Sequence, residues 1–240
     1  MHSVRALTVG QASCLPFVEA GKMPALPSND WLIWQLADSA FPIGSFAHST
    51  GLEAAWQCGQ IRSSSELHGF IEATLTQSAH AALPFVLSAY DSPERLAELD
   101  RRSDAFISNH VANRASRLQG QALAATFQRI FDGKAEAFTK LLFHYAPVFG
   151  VVMRLLDIER ETACRLFFFT AARGLISAAV RLGIVGPMEG QGIQSRFASL
   201  VERLISEGQD LSVDDVAQTS PIFDICHGMH DRLYSRLFQT

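Results

Sequence analysis

From Ala163 to Leu182 the chain is apolar on nearly every side of a helical wheel. A helix without a polar face has to be enclosed, so this segment predicts a central helix with its neighbours packed around it. Leu166 to Leu182 is the most apolar stretch, yet Arg173 and Arg181 interrupt it, and no run approaches the roughly 18 apolar residues of a membrane span. Ala171, Gly174 and Ala178 fall on one side of the wheel. Small residues at that spacing let another helix come close, either as a tight crossing inside the core or as a seam between two copies. Arg181 lies on the same side and needs a carboxylate or carbonyl partner if it is buried.

The remaining segments read as the wrapping of that helix. Period-two alternation is nearly absent, and Asp132-Gly133 is the only dipeptide suited to a tight hairpin. Helix punctuation recurs instead. Ser63-Ser64-Ser65-Glu66 matches a capping box, and Ser92-Pro93-Glu94 supplies an N-cap, a proline at the first helical position and an acidic first turn. Gly133, Gly183 and Gly208 follow periodic segments, where C-terminal glycines belong. The pattern predicts helices over 31–40, 48–58, 64–90 (interrupted near Pro84), 93–108, 111–131, 134–146, 158–182, 188–206 and 221–238. Connections are short and no internal repeat is evident. The expected fold class is all-α, a single-domain helical bundle of about nine helices over residues 29–240. Residues 1–28 are expected as a mobile extension, since Gln11, Ser13, Pro16 and Glu19 break the apolar stretch that a secretion signal requires.

Hydrophobic residues make up 48% of the chain and charged residues only 18%, against a usual charged share of about 25%. So much apolar surface predicts extra burial at an interface, in an oligomer or an obligate complex. A net charge of −4 and a pI near 6.0 offer no general attraction for nucleic acid or anionic membrane. Cys14, Cys58, Cys164 and Cys226 are scattered and form no CxxC pair. That favours reduced thiols in a cytoplasmic protein over a disulfide framework or zinc knuckle.

A helical pattern breaks at Phe41-Pro42-Ile43-Gly44, and another leaves from His48. Pro42 disfavours helix at Phe41 and donates no backbone hydrogen bond, while Gly44 permits a positive φ. The product is a shaped elbow that presents Ile43, Ser45, Phe46 and His48. In the preceding helix Leu32, Ile33, Leu36, Ala37 and Ala40 make a core face, with Trp31, Trp34 and Asp38 opposite. Two tryptophans there mark either an interface or a helix sandwiched within its own domain. Asp38, Ser45, His48 and Ser49 have the residue types of a hydrolase, but no Gly-x-Ser-x-Gly turn accompanies them, and helix capping by Ser45 accounts for the spacing.

Near the other end, Cys226, His227 and His230 stand at spacings that let a helix aim them at one ion. Such a set suits nickel, copper or zinc, although ligands from one helix leave the coordination sphere incomplete. In the competing reading His230 joins Leu233, Tyr234 and Leu237 on an amphipathic helical face that docks in a groove, with Arg232 and Arg236 opposite.

Four segments together carry a family resemblance. Residues 35–53 resemble the QLxDSxxPxGxFxHSxGLE signature of F-type urease accessory proteins, with Ser45 where a second glycine is usual. Arg114 to Gly120 resembles that family's central segment in its Arg, Ala-Ser and Gly, and Ser177 to Gly183, followed by Gly186 and Gln191, its SAAVRLG…GxxxxQ segment. His230 to Phe238 is similar to the HExLYSRLFxS ending, with Asp231 as the acid. Matches in this order cover residues 31–238.

The resemblance implies an all-helical, dimeric, non-enzymatic protein that helps insert nickel into apo-urease. Its implied partners are a D-type (or H-type) accessory protein and a G-type GTPase. No cofactor would be bound permanently, and nickel would pass in transit. Partner contacts are expected at an elbow of Pro42, Ile43, Phe46, His48 and Glu53, and along His230, Leu233, Tyr234, Arg236, Leu237 and Phe238. A dimer seam is expected at Ala171, Gly174 and Ala178. The alternative is a metallochaperone that binds nickel itself through Cys226, His227 and His230, of which Cys226 and His227 are not in the family pattern.

Overall fold

The computed structural model describes residues 28–43, 45–131 and 138–239. Among these residues there are eleven α-helices and no strand. In chain order they are α1 (Ser28–Ala37), α2 (Leu52–Gln57), α3 (Ser64–Ala81), α4 (Leu83–Asp91), α5 (Leu96–Phe106), α6 (His110–Ile130), α7 (Tyr145–Leu155), α8 (Arg160–Arg181), α9 (Pro187–Arg196), α10 (Ala198–Gly208) and α11 (Pro221–Met229). Short 3₁₀ turns occupy Ser45–Ala47, Pro93–Arg95 and His230–Arg232.

The central helix is α8. Leu166, Phe168, Ala172, Leu175 and Ala179 are buried along it, and α1, α2, α3, α4, α7, α9 and α10 all pack on it. By length and composition α8 could cross a membrane, but 61% of its apolar stretch is already buried inside the fold. Its missing polar face is therefore accounted for by neighbours.

Local chemistry sets the ends of the surrounding helices. Ser63 caps α3, its Oγ accepting the Glu66 N–H at 3.2 Å while Glu66 Oε2 accepts the Arg62 N–H at 2.6 Å. Asn109 caps α6 through the N–H groups of Val111 and Ala112. Helices α4 and α7 cross closely because Gly150 has no side chain: a Cβ there would lie 2.2 Å from the Val86 carbonyl oxygen.

Two of the predicted helices are each split. The 64–90 segment divides at Ala82, so that Pro84 enters the first turn of α4, and the 188–206 segment divides at Phe197. Helix 48–58 begins only at Leu52, because Thr50 (φ 55°) and Gly51 (φ 81°) are both left-handed. The first residue of α1, Ser28, belongs to the helix and not to the expected extension, the rest of which lies outside the described residues.

The predicted 134–146 helix departs further. Residues 134–137 and Gly133 lie outside the described residues, and 138–144 do not form an α-helix. The helix begins at Tyr145, which places Pro147 in its first turn, where a missing N–H costs nothing. The approach to α7 is held by Asp100, buried on α5. Its carboxylate accepts the N–H groups of Leu142 (2.5 Å), Phe143 (3.2 Å) and His144 (2.7 Å). Phe143 is left-handed (φ 69°), a strained conformation for a bulky residue, and these three hydrogen bonds pin it.

Candidate functional site

At the elbow, Asp38 Oδ1 accepts the Ala40 N–H at 2.9 Å, an Asx turn that ends α1's direction. Phe41 and Ile43 then bury into the core, and the Pro42 carbonyl accepts the Thr126 hydroxyl of α6 at 2.9 Å. Phe46 stays 59% exposed, and its carbonyl accepts Arg181 Nη1 at 2.7 Å. The Arg181 guanidinium lies 4.0 Å from the Phe46 ring centroid and 4.2 Å from that of Phe238. One cation of the central helix is thus held by the elbow and by the last segment together.

Glu53 completes the junction. It is buried on α2, and its Oε2 lies 3.2 Å from Nε2 of the equally buried His230. The same carboxylate accepts the N–H of Leu237 at 2.6 Å and of Phe238 at 3.2 Å. Gln57 Nε2 donates to the Ser235 carbonyl, and the Gln239 N–H donates to the Ala47 carbonyl. These bonds explain why the expected 221–238 helix stops at Met229. The N–H groups that a continued helix would use are taken by Glu53, and from Leu233 onward the chain crosses α2 as a non-helical strap. The other ring nitrogen of His230, Nδ1, is buried with no hydrogen-bond partner among the described residues.

A surface carboxylate ties the strap to α6. Asp231 is 2.9 Å from Arg114, 3.1 Å from His110 and 3.4 Å from Arg236, and its carboxyl is held below the usual range, first by the Arg114 hydrogen bond. All four segments with a family pattern therefore meet here: elbow, α6, the end of α8 and the strap.

The structure sorts the expected contact residues into two groups. Ile43, His48, Glu53, His230 and Phe238 are buried within the chain, whereas Pro42, Phe46, Tyr234, Arg236 and Leu237 are exposed and Leu233 is half-buried. Trp31 and Trp34 are also exposed and pack edge to face with centroids 6.4 Å apart. Along the small-residue face of α8, Ala178 is buried, while Ala171 and Gly174 are half-exposed and a Cβ on Gly174 would meet nothing within 4 Å. Cys226, His227 and His230 engage different surroundings: the thiol is buried, the His227 ring packs on Gly51 and His230 faces Glu53. Among the described residues no three His, Cys, Asp or Glu side chains are grouped to hold an ion. Asp38 is exposed and turned to Ala40, away from any role as orienter of the buried His48.

Sequence reasoning missed a polar relay behind this junction. His144, fully buried, has Nε2 3.0 Å from Asp104 Oδ1 and Nδ1 3.2 Å from Ser116 Oγ, which also accepts the Tyr145 N–H at 3.1 Å. Ser116 thereby caps α7 from the side of α6. A signal was present in the Arg114–Gly120 segment, where each of three patterned residues makes its own contact. Arg114 holds Asp231, Ser116 caps α7, and Gly120 admits the Phe143 carbonyl, 1.9 Å from where its Cβ would stand.

Burial pushes both His48 and His227 down to about 4, helped in each case by the neighbouring His230. Both are neutral in the folded chain and would titrate near 6.5 when unfolded. Their stabilising contribution is thus complete above pH 6.5 and is lost as pH falls toward 4, on the order of 3 kcal/mol per group. Urea midpoints measured from pH 7 to 4 should fall accordingly, with a shallower slope in His227→Gln; an unchanged slope would contradict the assignment.

The chain is 40% identical over 219 residues to urease accessory protein F of Arabidopsis thaliana, covering 87% of this chain and 91% of that one. It is 37% identical over 221 residues to the protein of the same name from Oryza sativa subsp. japonica, covering 88% and 85%. Urease accessory protein UreF of Jannaschia sp. (strain CCS1) is 30% identical over 207 residues, covering 86% and 92%. Residues 61–198, more than half of the chain, match the UreF family profile. The chain belongs to the UreF family. The profile interval contains Arg114, Ser116, Gly120 and Arg181, so the α6 and α8 sides of the junction fall inside the UreF match. The elbow and the strap lie to either side of it.

Proposed function

We propose that the chain is a non-enzymatic scaffold in urease maturation, acting in the cytoplasm in a complex with a D/H-type accessory protein and a G-type GTPase that delivers nickel to apo-urease. The observation that carries this reading is the junction of elbow, α8 and strap: four segments with a family pattern converge there, and they leave Phe46, Tyr234 and Leu237 facing solvent. Large apolar groups of that kind are typical anchors for a partner. Nickel is cargo in this scheme. A homodimer is part of the proposal, with the half-exposed Ala171 and Gly174 at its seam.

Co-purification with candidate D/H-type and G-type proteins, with and without GTP and nickel, tests the reading. Failure to form any such complex would end it. Phe46→Ala gives a sharper result. It removes an exposed ring whose contact with Arg181 is worth about 0.5–1 kcal/mol to folding. Complex formation should weaken by about 1–3 kcal/mol while the melting curve hardly moves. A large loss of stability with binding retained would show Phe46 to be a packing residue only.

A further inference from the structure

Beneath α11 lies a half-open cavity of about 240 Å³ lined by α3, α4, α5, α6, α7 and α8. It is smaller than the roughly 300–1,000 Å³ of drug-sized sites, so it suits a molecule of about one ring. Phe85, Phe106, Tyr145, Phe167 and Phe223 bring aromatic rings to its lining. The charge pattern there is one-sided. Asp224 of α11 is the one carboxylate among the described lining residues, and none of them is Lys or Arg.

Asp224 is half-buried, and burial raises its carboxyl above the usual range. Its backbone carbonyl anchors α11 by accepting Asn109 Nδ2 at 2.5 Å, but its carboxylate has no ion pair or hydrogen bond among the described residues. A partly desolvated carboxylate with no counter-charge is costly. The nearby polar groups do not supply one. The Thr74 and Ser78 hydroxyls spend their protons on the Phe70 and Thr74 carbonyls, at 2.8 and 2.9 Å, and so offer only lone pairs. His48 and His227 are neutral.

We propose that this cavity binds a small organic cation, a primary ammonium on a single ring or short apolar tail, with the Asp224 carboxylate as its counter-ion. Aromatic faces attract such a cation through their quadrupoles, and the acceptor-only hydroxyls match its N–H donors. An anion would meet Asp224 with nothing to compensate. A metal ion would need several grouped ligands, and the described residues hold no such set.

Benzylammonium, benzyl alcohol and benzoate are suitable probes for the full chain, being alike in size and different in charge. Titration calorimetry or ligand-detected NMR should show benzylammonium binding at least roughly tenfold more tightly than benzyl alcohol, with benzoate weakest. Asp224→Asn should bring benzylammonium to the level of benzyl alcohol without lowering the ligand-free melting temperature, since the backbone bond to Asn109 is kept. Ala115→Met, which fills the cavity from α6, should abolish binding of both and serves if Asp224→Asn folds poorly. Equal affinity for the alcohol and the ammonium, a preference that survives in either folded variant, or no binding by the wild-type chain up to about 10 mM would each overturn the proposal.

Discussion

Glu53→Ala is expected to destabilise the chain by about 3–5 kcal/mol, since each buried group left without its hydrogen-bond partner costs about 1–3 kcal/mol. The substitution strands three groups at once: the buried His230 ring and the N–H groups of Leu237 and Phe238. At this chain length the melting temperature should fall by roughly 10 °C. Amide exchange at residues 233–239 should rise more than elsewhere, because the strap loses its main anchor. Glu53→Gln, which keeps an acceptor oxygen, should lose less. A melting curve for Glu53→Ala that overlays the wild type would show that the strap is held by something else.

Gly120→Ala is expected to cost at least about 3 kcal/mol, beyond ordinary overpacking, because the added methyl meets backbone and not a movable side chain. Its Cβ would stand 1.9 Å from the Phe143 oxygen, and that oxygen belongs to a turn that Asp100 holds rigidly. Gly69→Ala, at an exposed position of α3, is the control. Nothing lies within 4 Å of its Cβ, and a helical glycine is about 0.5–1 kcal/mol worse than alanine, so that variant should gain stability. Urea denaturation of the two variants side by side separates close packing from simple helix propensity. Equal effects would mean that α6 does not hold Phe143 as closely as 1.9 Å requires.

The helical class and the central place of α8 were legible because periodicity and one all-apolar segment are local properties of a sequence. So were the α3 cap at Ser63 and the αL glycine at Gly183. Arg181 could be marked as needing a partner, but two aromatic rings and a carbonyl arriving from segments far away in the chain could not be read locally. The same reason explains the 221–238 helix. Residues 230–238 have a convincing helical pattern, and only the carboxylate of Glu53, 184 residues from Leu237, unwinds them. At α7 the ambiguity is of another kind: Pro147 reads as a stop, yet proline in a first turn fits a start equally well. Asp100 carried no signal at all, since one acidic residue on an amphipathic helix ordinarily faces water.

Closure of the strap over Glu53 ties the first part of the chain to the last during folding. Helix α2 comes early in the order of synthesis, and the groups that hydrogen-bond its carboxylate are separated from it by 177 to 185 residues. Until residues 230–238 have been made, the elbow and α2 cannot bury Glu53 without leaving a charge unpaired. Helices α3 to α7 can collapse on local contacts, but the two ends of the molecule have to mature together. Such a long loop closure tends to be slow, and until it happens Phe238 cannot cover the Arg181 guanidinium of α8.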